Sequence, residues 1–230
     1  MLNSDQIEIL FAFCRKHFVY YYDVQVELVD HLANAIETEM KNDAKIPFEK
    51  ALEKVHKSFG LFGFAPLVAE KEKMALRQSR KMLWDNFKKQ FKWPKVLTFF
   101  LLVFFIFTLF SNAPFLMHGA ATVIILLAWP VYLSRLIKFQ RLIKKTGKKF
   151  LAENIFWVTS FILFPTYYIN FSNIFKKEIL PEYSVSPGLI FVYAALLSLY
   201  IVIVIAICQT LLSSTKSLHK TYPEVFSVAG

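Results

Sequence analysis

The stretch 96–134, VLTFFLLVFFIFTLFSNAPFLMHGAATVIILLAWPVYLS, decides the fold: 39 consecutive residues without an Asp, Glu, Lys or Arg. A bilayer core takes about 20 mostly apolar helical residues per crossing, so the block has the length for two. Ser111-Asn112-Ala113-Pro114 at its centre supplies the residues of a hairpin turn. Two further uncharged blocks, 154–175 and 183–215, run to 22 and 33 residues and admit one crossing each. The expectation is a transmembrane domain over 96–212 with four helices, at about 96–112, 115–134, 154–174 and 188–212.

Composition points the same way. With 56% hydrophobic and 17% aromatic residues, the chain lies outside the usual soluble range. Asp5 and Glu8 interrupt the first ten residues, which lack the basic start and apolar run of a cleavable signal. The amino terminus is expected to stay in the cytoplasm. Of the 27 Lys and Arg, 16 precede Val96, seven lie in 135–150, two separate the third and fourth spans and two are in the tail. By the positive-inside rule this distribution places the amino terminus, the 135–150 loop and the tail 213–230 in the cytoplasm. The expected location is the bacterial inner membrane, multi-pass, with both termini inside.

Everything before Val96 is charged and reads as helix, without strand alternation or a hairpin dipeptide. A first helix is capped at Asn3 or Ser4 and carries Ile7, Leu10, Phe11, Cys14 and Phe18 on one side. A second, over about 23–41, places Val24, Leu28, Leu32, Ala35, Ile36 and Met40 on its apolar face. A third starts at Pro47 and stops at Gly60, with Phe48, Ala51, Leu52, Val55 and Phe59 inward. A long basic helix follows from Phe64 to Lys95, reaching Trp93-Pro94, where Trp suits the headgroup zone and proline bends the chain. The fold class is therefore all-α: a cytoplasmic bundle of short helices over 1–62, a linker helix over 63–95, four transmembrane helices, and a loose tail over 213–230.

The charged surfaces are the candidate sites. The second helix has an acidic face, from which Glu27, Asp30, His31 and Glu37 are the candidate partner-binding residues. Glu27 and His31 stand one helical turn apart, a spacing that suits a divalent metal. No second helix offers matching ligands beyond His56, so the face reads as solvated acid and no metal or cofactor is expected. Lys88, Lys89, Lys92, Arg135, Arg141, Lys144 and Lys145 flank the spans and are candidates for anionic lipid headgroups of the inner leaflet. The segment RLIKFQRLIKKTGKKF, 135–150, alternates basic and apolar residues at helical spacing and is expected to lie partly along that leaflet. Net charge of +10 is thus assigned to lipid, and direct nucleic-acid binding is not expected. Cys14 and Cys208 are too far apart in sequence to suggest a disulfide framework or metal site and read as packing residues.

The stretch 21–60, YYDVQVELVDHLANAIETEMKNDAKIPFEKALEKVHKSFG, resembles the HAAS family of bacterial helical domains. Glu27-Leu28 with Asp30-His31-Leu32 corresponds to that family's acidic helix, and Phe48-Glu49-Lys50-Ala51-Leu52 with Phe59-Gly60 to the helix that follows. Such domains sit on the cytoplasmic side of multi-pass membrane proteins and are associated with PadR-type regulators. The resemblance implies signalling, with a PadR-like regulator as partner.

Within the spans, ionisable groups of the kind that mark transport or proteolysis are nearly absent. His118 lies close to the external turn and Glu153 at the cytoplasmic boundary. No phosphate-binding loop, zinc-protease helix or nucleophile elbow occurs. The expectation is a non-enzymatic membrane regulatory protein, possible as a homo-oligomer, that binds a protein through its helical domain. The alternative is an accessory or scaffold subunit of a larger membrane complex such as a transporter, packing through its Phe-rich first span.

Overall fold

The computed structural model describes residues 1–113, 116–152 and 186–227, with side chains left aside at 116–122 and 124–126. The expected third span, His118 as a side chain and Glu153 lie outside the described residues. In chain order the helices are α1 (Ser4–Lys16), α2 (Tyr22–Asn42), α3 (Phe48–Ser58), α4 (Ala65–Gln90), α5 (Lys95–Asn112), α6 (Leu116–Lys145), α7 (Pro187–Thr221) and α8 (Pro223–Ser227). Among the described residues there is no strand, only an isolated parallel bridge between Tyr21 and Lys149. The fold is all-α.

Contacts divide the chain into two units. The first holds Met1–Gln78 with 147–152; the second holds 79–146 with 186–227. Helix α4 is continuous through this division, giving 65–78 to the first unit and 79–90 to the second.

In the first unit, α1 begins with a reciprocal capping box: Gln6 N–H donates to Asn3 Oδ1 at 2.8 Å and Asn3 N–H donates to Gln6 Oε1 at 2.9 Å. Two of the amide groups left over at a helix start are thereby satisfied. The helix stops at His17, and Phe18 takes the left-handed conformation, φ 64°, while Val19 N–H donates back to Cys14 O at 3.0 Å. Phe18 therefore leaves the buried stripe predicted for it and is 77% exposed. The other apolar positions hold. Leu10 and Cys14 of α1, Val24, Leu28, Leu32 and Ile36 of α2, and Phe48, Ala51, Leu52 and Val55 of α3 form one core with Phe64. Each wholly buried Leu or Ile contributes about 1.5–3 kcal/mol over exposure.

A late segment completes this core. After α6 ends, Gly147 turns the chain with φ 65°, and Leu151 is buried within the cluster, 3% exposed. Phe150 is wholly buried and packs edge-on to Tyr22 at 5.8 Å between ring centroids. Tyr22 N–H donates to Lys149 O at 2.7 Å, and both carboxylate oxygens of Asp23 accept from Leu151 N–H at 3.3 Å. The end of the basic segment, Phe150, and the Leu151 that follows it are thus packed within the first unit.

In the second unit, α5 and α7 pack through Val103, Ile106 and Phe110 against Ile190, Tyr193, Ala194 and Leu197. Both are long and apolar enough to cross a membrane by length and composition. Ser186 caps α7, accepting from Leu189 N–H at 3.4 Å, with Pro187 in the first turn. Helix α6 is one unbroken helix through Pro130 to Lys145, roughly 45 Å long at 1.5 Å per residue. Its second half buries Tyr132, Leu136, Phe139 and Ile143 at helical spacing, and the helix packs against α7. Within the basic segment, Leu136, Phe139 and Ile143 are therefore covered by protein, while Arg135, Arg141, Lys144 and Lys145 stay exposed. Through Ser227 the tail is helical: α7 continues to Thr221 and α8 follows, with the Phe226 ring tilted against His219 at 4.2 Å.

Candidate functional site

The four acidic-face residues of α2 have different fates. Glu27 is ion-paired to Lys71 of α4, and His31 Nε2 stands 3.8 Å from the same carboxylate. Glu37 accepts from Leu2 N–H at 2.8 Å and lies 3.8 Å from the terminal ammonium. Two of the four carboxyl or imidazole candidates, Glu27 and Glu37, are thus tied to the unit's own chain, in partly exposed pairs. Asp30 and His31 point outward and are exposed. Among the described residues, no three His, Cys, Asp or Glu side chains converge.

The first unit's most open apolar surface lies elsewhere. Between the end of α1 and the α3–α4 turn is a cavity of about 410 Å³, lined by His17, Phe18, His56, Leu61, Phe62 and Phe64 among others. Gly60 and Gly63 make its rim possible: at φ 77° and 52° they adopt the left-handed conformation that glycine takes without strain. They hold Leu61 and Phe62 at the tip, 95% and 76% exposed. Phe18 joins them from α1 at a cost of about 1–2 kcal/mol for a non-glycine residue in that conformation. Backbone strain that presents a large apolar side chain to solvent is a mark of a binding surface.

The floor of the cavity is aromatic and contains a histidine pair. His17 and His56 rings lie 4.2 Å apart, and Phe13 and Phe64 approach His56 edge-on at 5.1 Å each. Burial holds His17 below its ordinary pKa of 6.5, aided by His56 and Lys16. The His56 Nε2 is buried without a hydrogen-bond partner among the described residues. A ligand that enters the mouth can therefore bring apolar area and one polar group. Sequence reasoning missed this site, because His17 and His56 belong to different helices and Phe18 fits the α1 stripe. The one local signal is the Gly60-Leu61-Phe62-Gly63 tetrapeptide, two large apolar residues between two glycines.

The remaining titrating groups here are structural. Burial pushes the Cys14 thiol up to about 12, against a smaller opposing effect of Arg15, so it stays neutral and inert. Burial also raises the Asp23 carboxyl, offset in part by the backbone N–H groups of Leu151 and Val24.

In the second unit, the expected lipid contacts fall on two helix ends. Lys88, Lys89 and Lys92 are exposed at and just beyond the end of α4; Arg135, Arg141, Lys144 and Lys145 are exposed along the second half of α6. Lys88 sits 5.3 Å over the Trp84 ring and 4.0 Å from Asp85, while Lys89 donates to Asn86 at 3.2 Å. Helix α5 carries a wide uncovered apolar face, with Phe100, Leu101, Phe104 and Phe105 all above 60% exposure.

The fold and these surfaces define an all-helical protein with two helices of membrane-crossing length and a separate helical unit with an apolar mouth. No family model matches the chain, and no curated protein or solved structure matches it significantly.

Proposed function

We propose that this is a non-enzymatic regulatory protein of the bacterial inner membrane, whose membrane domain crosses four times with both termini in the cytoplasm and whose helical unit binds a protein partner. The observation that carries the partner reading is the mouth formed by Phe18, Leu61 and Phe62 over the His17–His56 pair. Three large apolar side chains held in solvent by strained or glycine-dependent backbone fit an anchor side chain of a partner, which fills the cavity and covers the rim. A PadR-like regulator is the partner implied by the HAAS resemblance of 21–60. Asp30 and His31, exposed on α2, offer a second, polar contact.

The membrane reading is supported by α5 and α7 and by the uncovered Phe-rich face of α5, which in water would be a large exposed apolar surface. In lipid each such Phe or Leu near the helix centre is instead favourable by about 0.3–0.6 kcal/mol. The same face suits a neighbouring subunit, which keeps the scaffold reading as the second one.

The test is a photoreactive phenylalanine analogue in place of Leu61 in the full-length protein in its own membrane. A discrete protein adduct that disappears when Phe18→Ser is added supports the proposal. Adducts to lipid alone, or none, contradict it.

A further inference from the structure

Over 79–90, helix α4 is hydrogen-bonded to α7: Asn86, 5% exposed, donates to Thr210 Oγ1 at 3.1 Å, and Gln90 Nε2 donates to Gln209 Oε1 at 2.8 Å, with Met82 and Leu83 partly buried one turn before Asn86. The opposite face is aromatic and basic. Trp84, 57% exposed, stacks on Phe87 at 5.4 Å, and Phe87 meets Phe91 at 5.1 Å. Arg80, Lys81, Lys88 and Lys92 flank this row, and from Ser79 to Trp93 five basic residues face a single acid, Asp85. A free helix face that carries an aromatic row among its cations differs from the purely polar face that water selects.

The aromatic row also does not stop with the helix. Phe91 meets Phe99 at 5.3 Å across the break at Trp93-Pro94, and Phe99 meets Phe100 at 5.6 Å on α5. The free face of α4 therefore runs into the uncovered apolar face of α5, the one that the proposed function gives to lipid. Trp with flanking Lys and Arg is the chemistry of the headgroup zone: the ring sits at the acyl boundary while the cations reach phosphates.

We infer that 79–93 lies in the anionic headgroup layer of the bilayer, with Trp84, Phe87 and Phe91 toward the acyl chains, Arg80, Lys81, Lys88 and Lys92 on lipid phosphates, and Asn86 and Gln90 docked on α7. This rests on the membrane reading above. It turns the linker into a surface anchor whose occupancy depends on anionic lipid, each cation contributing through the leaflet's negative potential.

The test uses the full-length protein in nanodiscs of phosphatidylcholine mixed with phosphatidylglycerol. The Trp84 signal is obtained as the emission difference between wild type and Trp84→Phe, and an added Phe104→Trp serves as the lipid reference. The expected result is a blue-shifted Trp84 component, quenched by lipids brominated near the headgroup and shielded from acrylamide, with both effects reduced in phosphatidylcholine alone. A Trp84 component open to acrylamide and untouched by brominated lipid overturns the inference, while a lipid-quenched Phe104→Trp signal leaves the membrane reading standing. If the Phe104→Trp signal is itself open to acrylamide, the membrane reading and this inference fall together. Should the loss of Trp84 disturb the fold, Phe87→Trp on the same face gives the same two readings as an added signal.

Discussion

Phe18 carries the most information per residue. Its left-handed conformation closes α1 where glycine is the usual choice, and its ring stays 77% exposed, meeting Tyr20 edge-on at 6.3 Å. Phe18→Gly is expected to raise stability by about 1 kcal/mol in thermal or chemical unfolding, because the conformational cost is removed and little packing is lost. The same change is expected to abolish the Leu61 cross-link. A variant that binds normally and is no more stable would remove the reason for calling Phe18 a binding residue. His17 gives a second residue-scale expectation. Its pKa in the folded chain lies below the ordinary 6.5, chiefly through burial. At pH above 6.5 the imidazole is neutral in both states; as pH falls below it, the unfolded chain takes up the proton first and stability drops until the folded pKa is passed. The melting temperature should therefore decline on acidification from neutral, and His17→Gln should flatten that decline. An identical slope in the two proteins would show that His17 is not linked to folding.

At the scale of the element, the segment after α6 shows what the sequence could and could not disclose. The apolar stripe Tyr132, Leu136, Phe139 and Ile143 and the basic face beside it were legible as helical spacing. Which surface the stripe meets was not, because lipid and α7 are equally apolar and periodicity does not distinguish them. Nor could Phe150 and Leu151 be assigned to the first unit, since they lie more than 125 residues from Tyr22 and Asp23, and such contacts leave no local trace. The capping box of α1, the proline start and glycine stop of α3, and the inward face of α2 were legible because each is fixed by neighbours within a few residues. Phe150→Ala is expected to cost about 3–5 kcal/mol of first-unit stability, the usual price of deleting a buried Phe. It should also speed hydrogen exchange around Tyr22 and Val24. A cost below about 1 kcal/mol would mean that the segment merely rests on the core.

At the scale of the whole molecule, a helical unit with an apolar mouth is joined in one chain to two helices long and apolar enough to cross a bilayer. Two of the four proposed crossings correspond to described helices of sufficient length and hydropathy, α5 and α7, and both α6 and α7 run well past an apolar core of about 30 Å. Their C-terminal continuations carry the exposed cations Arg135, Arg141, Lys144, Lys145 and Lys216. Orientation is the claim on which the partner site, the lipid anchor and the regulatory reading all depend. It is tested most directly by impermeant thiol labelling in spheroplasts of two single substitutions, Asn112→Cys in the turn after α5 and Lys145→Cys at the end of α6, with the unsubstituted protein as background. The account predicts that Asn112→Cys is labelled from outside and that Lys145→Cys is labelled only after lysis. Labelling of Lys145→Cys in intact spheroplasts, with Asn112→Cys protected, would contradict it.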